Sequence, residues 1–238
     1  MNLRPRAPHC AYPIAFAAVF VLGDVIGGWV DMDGDVDPGS IDHTVREWVV
    51  RHRPLWPSLT KFAFFVTQLG NPEIATTAVV LIALTFLLLN AFGIGRIRRS
   101  EAWFWLLVAG GGELLNHSLK LRFRRDRPPL EGRLVEETTF SFPSGHGMFS
   151  GVFLLLTAMV VLRESTGLPR PVRPIVILGC LLLALSVAAS RVWLGVHYTS
   201  DVASGFVLGA TWAGASVLIR YGWGRRSAAS DRDHPASP

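Results

Sequence analysis

Six apolar stretches, at about 12–30, 74–92, 101–119, 146–162, 173–190 and 202–219, alternate with polar segments along the chain. Each approaches the roughly 20 residues with which a helix crosses the hydrocarbon core of a bilayer. The pattern predicts an all-α, six-span transmembrane bundle occupying residues 1–226 as one domain. A small, polar, Pro-containing tail follows from Ser227 to Pro238, with the composition of a disordered segment. Arg4 and Arg6 precede the first stretch as they would in a signal peptide, but Gly27-Gly28 makes a poor cleavage site, so this stretch reads as a retained span. The longest polar interval, 31–73, opens with Asp31, Asp33, Asp35 and Asp37 and then becomes amphipathic, with Ile41, Val45, Trp48 and Val49 at helical spacing. This predicts a helix lying along the outer interface, with Trp48 and Trp56 at headgroup level. The Asp run lacks the Glu that a calcium loop needs and reads as a solvated loop.

Composition agrees with lipid surroundings. Half of the 238 residues are apolar and 17% are charged, against about 25% in soluble domains; mean hydropathy is +0.36. Cys10 and Cys180 suggest neither a disulfide framework nor a thiolate metal site. The net charge of +5 would suit nucleic-acid binding in a soluble protein. Here the basic residues lie between apolar runs, which points to topology and anionic headgroups and away from nucleic acid.

Placing both termini in the cytoplasm puts Arg96, Arg98 and Arg99 in one inner loop and Arg163, Arg170 and Arg173 in the other, with Arg220, Arg225 and Arg226 after the last span. That satisfies the positive-inside rule. Lys120, Arg122, Arg124, Arg125, Arg127 and Arg133 oppose it from the outer side. Cations gathered on the wrong side need another reason, and binding anions is one.

Three motifs fall on that outer side. In the first, Lys120 and Arg127 are seven residues apart, so a continuing helix would turn both to one face before Pro128-Pro129 ends it; a snorkelling basic collar is the plainer reading. The second is Phe142-Pro143-Ser144-Gly145-His146, opening the fourth apolar stretch. Ser144 is a good N-cap, Gly145 admits a ligand close to the backbone, and free N–H groups at a helix start bind anions. The plainer reading is a capped helix with an interfacial histidine. In the third, Ser190-Arg191 is followed by His197 and Asp201, four residues apart. A helical turn would bring carboxylate to imidazole, fix the tautomer and leave the other ring nitrogen as nucleophile; an ion pair at a helix end is the alternative. Together they offer cations, helix N–H groups, two histidines and a carboxylate, a set suited to phosphoryl transfer.

Lys-x6-Arg-Pro, Pro-Ser-Gly-His and Ser-Arg-x5-His-x3-Asp, in this order and spacing, resemble the type 2 phosphatidic acid phosphatase superfamily. The resemblance implies a helical core shared with soluble vanadium haloperoxidases, and catalysis without metal or cofactor. By position, His197 attacks phosphorus and forms a phosphohistidine, Asp201 orients it, and His146 protonates the leaving oxygen. Lys120, Arg127 and Arg191 hold the equatorial oxygens, helped by Ser144 and Gly145. The expected protein is a phosphatase of the cell inner membrane, its site on the outer face and its substrate a phosphorylated lipid of the bilayer. Polyprenyl pyrophosphate stands narrowly ahead of phosphatidylglycerophosphate and phosphatidic acid. A non-catalytic phospholipid-binding protein is the alternative, which intact His146, His197 and Asp201 oppose. Oligomeric state is not legible.

Other polar residues are less telling. Glu113, Asn116, His117 and Lys120 share a helix face and read as buried polar contacts between helices, with Glu113 and His117 alternatively lining a cleft. Asp24 is ambiguous, His9, His43 and His52 look interfacial or tail-borne, and Trp103, Phe104 and Trp105 suggest an inner aromatic belt.

Overall fold

The computed structural model describes residues 10–30, 37–94, 99–162 and 169–233, the last of these as backbone only beyond 221. Arg4, Arg6, His9, Asp31, Asp33, Asp35, Arg96, Arg98 and Arg163 lie outside the described residues. Among those described, the chain is helical and without strands: α1 (Ala11–Gly27), α2 (Ile41–His52), α3 (Pro57–Thr67), α4 (Pro72–Ala91), α5 (Arg99–Phe123), α6 (Gly145–Leu162), α7 (Val172–Trp193) and α8 (Thr199–Asp233). Single 3-10 turns follow α2 and α3. Each of the six apolar stretches falls on one helix. Four of these helices, α4, α6, α7 and α8 as far as Tyr221, are long and apolar enough to cross a membrane. The α1 helix is shorter, at 17 residues, and the 25-residue α5 carries Glu113, Lys120 and Arg122 in its C-terminal half. The α8 helix runs past Ser227, where the polar tail begins.

The interval read as one amphipathic helix holds two. Ser40 caps α2, accepting the His43 N–H at 3.2 Å, and Pro57 opens α3 in the first turn, where its missing N–H costs nothing. The α2 helix turns Asp42 and Val49 inward and leaves Ile41 and Trp48 exposed.

The centre of the bundle is a cluster of Val19, Phe104, Trp105, Val108, Leu115, Leu119, Met148, Leu156, Leu208 and Trp212. Phe104 and Trp105 are thus core residues, and only Trp103 of the supposed belt faces outward. The α6 and α8 helices touch backbone to backbone. A Cβ on Gly151 would sit 2.2 Å from the Phe206 carbonyl oxygen, and one on Gly209 would sit 2.1 Å from that of Met148. With Gly147 and Gly205 this makes facing small-xxx-small faces, the device by which helices pack closely in lipid. The close approach sets the start of α6 against the start of α8, where the Ser144 N–H donates to the Asp201 carbonyl at 3.0 Å.

Candidate active site

The three motifs converge at one end of the bundle, though not always by the route their spacing suggests. The α5 helix ends at Phe123, before the prolines, because Arg124 takes a left-handed conformation (φ 50°). Lys120 therefore reaches the site from the helix and Arg127 from the following loop, and no common helix face aligns them. Arg127 is held rigidly by its bonds to the Thr139 carbonyl (2.7 Å), Thr139 Oγ1 (3.0 Å) and the Val196 carbonyl (2.9 Å). Lys120 Nζ donates to the Phe140 carbonyl.

His197 lies just before α8, so it and Asp201 do not share a helix face either. Asp201, in the first turn, reaches back to accept the Tyr198 N–H at 2.9 Å, as a capping carboxylate does. The same Oδ2 accepts Ser141 Oγ at 2.6 Å and lies 3.5 Å from His197 Nδ1. On the other side of the ring, Arg127 Nη1 is 3.1 Å from Nε2. A guanidinium can only donate, so Nε2 accepts and the ring proton sits on Nδ1, towards Asp201 and Ser141. The nitrogen with the free pair is the one that faces the cations. Burial, then the positive charge of Arg127, holds the His197 pKa well below 6.5, so the imidazole is neutral at pH 7. Burial also lowers Arg127, to about 10, still charged.

Ser144 is fully buried and caps α6, its Oγ accepting the Gly147 N–H at 3.4 Å. His146 follows in the first turn, with Nε2 3.1 Å from the Thr67 carbonyl. Thr67 Oγ1 accepts Arg191 Nη1 at 2.9 Å, so one residue of α3 ties His146 to Arg191. Gly70 lies against the imidazole; a Cβ there would come within 2.4 Å of His146 Cδ2. Gly145 packs on Asn116, which donates to the Pro143 carbonyl at 3.2 Å.

The arginines converge on a carboxylate. Glu137 bonds Arg191 Nη2 through one oxygen and lies 3.5 Å from Arg127 Nη2 through the other. Its side chain is 28% exposed and so has a path to water. Sequence reasoning missed Glu137, Ser141, Thr67, Arg125 and Asp42, because their partners are brought together by the fold rather than by spacing. Glu113 and His117 are exposed on α5, which corrects the expectation of buried contacts; Asn116 of that face is buried. Asp24 forms an ion pair with Arg122 at 3.0 Å, which ties α1 to the basic end of α5.

Apolar helices that gather arginines, a lysine and two histidines at one end of the bundle suit a membrane-embedded hydrolase of phosphate esters. The sequence profile of the PAP2 superfamily matches residues 101–225, and the chain belongs to that superfamily. Over 157 residues it is 34% identical to phosphatidylglycerophosphatase B of Bacillus subtilis (strain 168), covering 64% of this chain and 76% of that one. Over 148 residues it is 35% identical to decaprenylphosphoryl-5-phosphoribose phosphatase of Mycobacterium tuberculosis (strain CDC 1551 / Oshkosh), covering 59% and 72%. A crystal structure of a transmembrane PAP2-type phosphatidylglycerolphosphate phosphatase from Bacillus subtilis has the same fold, with a TM-score of 0.69, 24% identity, and coverage of 94% of this chain and 99% of that one. The protein is an integral-membrane lipid phosphate hydrolase.

Proposed function

We propose that this protein removes the terminal phosphate of a membrane lipid through a covalent phosphohistidine. The observation that supports this most directly is the Glu137 carboxylate between Arg127 and Arg191, beside the unprotonated Nε2 of His197. The carboxylate occupies a place built for an anion. A phosphate carrying two charges displaces it, and Glu137 moves towards solvent.

Lys120, Arg127 and Arg191, with Ser144 and the Gly145 N–H, then hold the non-bridging oxygens. Nε2 of His197 forms a bond to phosphorus while the bond to the lipid oxygen breaks, and His146 gives that oxygen a proton. Water attacks the phosphohistidine, the P–N bond breaks, and the water's proton passes to His146. Asp201 accepts the Nδ1–H throughout and stabilises the ring as it becomes cationic. Cations and helix amides supply the electrostatic stabilisation.

The chain crosses the membrane six times, α2 and α3 lie at the outer interface, and the site opens to the outer headgroup layer. The substrate is a lipid phosphomonoester or pyrophosphate. The relatives act, by their names, on phosphatidylglycerophosphate and on a decaprenyl-linked phosphoribose phosphate, so both a glycerolipid and a polyprenyl lipid belong in the test. Detergent-purified protein is assayed for phosphate release from phosphatidylglycerophosphate, phosphatidic acid and polyprenyl pyrophosphate, with chelator present. Release from at least one, inhibited by vanadate, is expected. No release from any, or release only with a divalent metal, overturns the reading.

A further inference from the structure

Asp42 belongs to none of the three motifs and lies outside the segment matched by the superfamily profile, yet with Asp201 it is one of two buried carboxylates among the described residues, 7% exposed. It descends from the first turn of α2 onto the start of α8. There its Oδ1 accepts the Ser200 N–H at 2.8 Å, and its Oδ2 bonds Ser200 Oγ. Oδ2 also receives Arg125 Nη2 at 2.9 Å. Arg125 is 1% exposed, and its Nη1 donates to Asp201 Oδ1 at 2.6 Å and to Ser200 Oγ at 2.8 Å. Its guanidinium carbon lies 4.3 Å from the centre of the Tyr198 ring. The result is a buried row: Asp42, Arg125, Asp201, His197.

Charge along this row decides what Asp201 can offer. A carboxylate paired with a guanidinium of its own is neutralised, and presents little net field to a third group. One guanidinium shared between two carboxylates leaves one net negative charge. In a buried setting that charge acts strongly on a neighbour, because little water screens it. His197 starts neutral and becomes cationic as Nε2 bonds to phosphorus, so the charge favours the reacting state over the resting one. Arg125 itself is stabilised as a cation: burial opposes its charge, but Asp201 and Asp42 more than offset this and raise its pKa above the ordinary value.

We propose that Asp42 is a positioning residue for the nucleophile: by sharing Arg125 it leaves Asp201 the negative charge that stabilises His197 as it takes up phosphorus. The inference rests on the phosphohistidine reading above. It adds to the reaction a residue of α2, a helix that the three motifs do not include.

Asp42→Asn keeps the size and an acceptor oxygen but removes the charge. The variant and the wild type are compared in detergent on phosphatidic acid and on p-nitrophenyl phosphate, and binding of inorganic phosphate is measured by calorimetry. The expected result is a fall in kcat on the order of tenfold to a hundredfold, the range seen when a partner that orients a reacting group is removed. KM and the phosphate Kd stay within about twofold, since Lys120, Arg127 and Arg191 are untouched. The loss is the same on both substrates, because it acts on the nucleophile and not on the leaving group. An unchanged kcat overturns the proposal, as does a phosphate affinity that falls in step with kcat, the mark of a collapsed site. If Asp42→Asn cannot be recovered as a monodisperse protein, Asp42→Glu decides: it keeps the charge while disturbing the Ser200 contact. A kcat within about threefold of wild type then supports the charge role, and a hundredfold loss overturns it. Wild-type turnover in the same assays tests the phosphatase reading separately.

Discussion

His197, His146 and Glu137 separate three kinds of contribution to one site. With Nε2 turned to Arg127 and Nδ1 to Asp201, His197 is the proposed nucleophile, and His197→Ala should lower turnover by at least about a thousandfold. Retained phosphate release from a correctly folded variant would rule out the covalent step. His146→Ala should lose about a hundredfold or more on natural lipids, and much less on p-nitrophenyl phosphate, whose leaving group needs no proton. Equal losses on both substrates would remove the general-acid role. Glu137→Gln takes away the internal competitor for Arg127 and Arg191. The vanadate Kd should therefore fall about two- to fivefold, the size of one partly exposed charge pair. A rise in Kd would mean that Glu137 aligns the arginines and does not compete for them.

At the scale of elements, the α6–α8 contact determines whether the motifs meet. Gly151 faces the Phe206 carbonyl, a backbone atom that cannot step aside as a side chain can. Gly151→Ala should destabilise the protein by about 1–3 kcal/mol, the cost of overpacking a close contact. It should also lower activity, because the Ser144–Asp201 bond lies at the end of this interface. Gly110→Ala, on α5 where nothing lies within 4 Å, is the control and should be neutral. Unfolding midpoints and kcat for the two variants measure the difference; matching values would mean that the helices part without consequence.

For the whole molecule, the proposed orientation turns the site end of the bundle to the outside of the cell. Replacing Cys10 and Cys180 clears the background thiols. Single cysteines at Glu131 and Glu136, in the exposed loop at the site end, should then react with an impermeant thiol reagent in intact spheroplasts. A cysteine at Arg170, ahead of α7 at the other end, should be protected until the membrane is opened. The reverse pattern would place the chemistry at the cytoplasmic surface.

What the sequence by itself determined was the material of the site and the helices that bear it. Long apolar runs have one low-cost conformation in lipid, since a helix satisfies every backbone group internally. Charged residues among them are costly without a partner, which is why Lys120, Arg191, His197 and Asp201 stood out. Superfamily membership is legible in the sequence as well, over residues 101–225. Only the tertiary structure decided the arrangement. Extrapolated helical spacing put Lys120 and Arg127 on one face and His197 and Asp201 on another, but chain ends break that geometry: α5 stops at Phe123 and α8 starts at Thr199. Glu113 and His117 shared a face with buried Asn116 by period, yet the bundle leaves them exposed. Thr67, Glu137 and Asp42 had no local mark at all, and Arg125 was marked only as one of a basic cluster. Their roles arise from contacts across many residues of chain, from Arg191 to Thr67 and from Ser200 to Asp42, and such pairings exist only once packing has brought distant segments together.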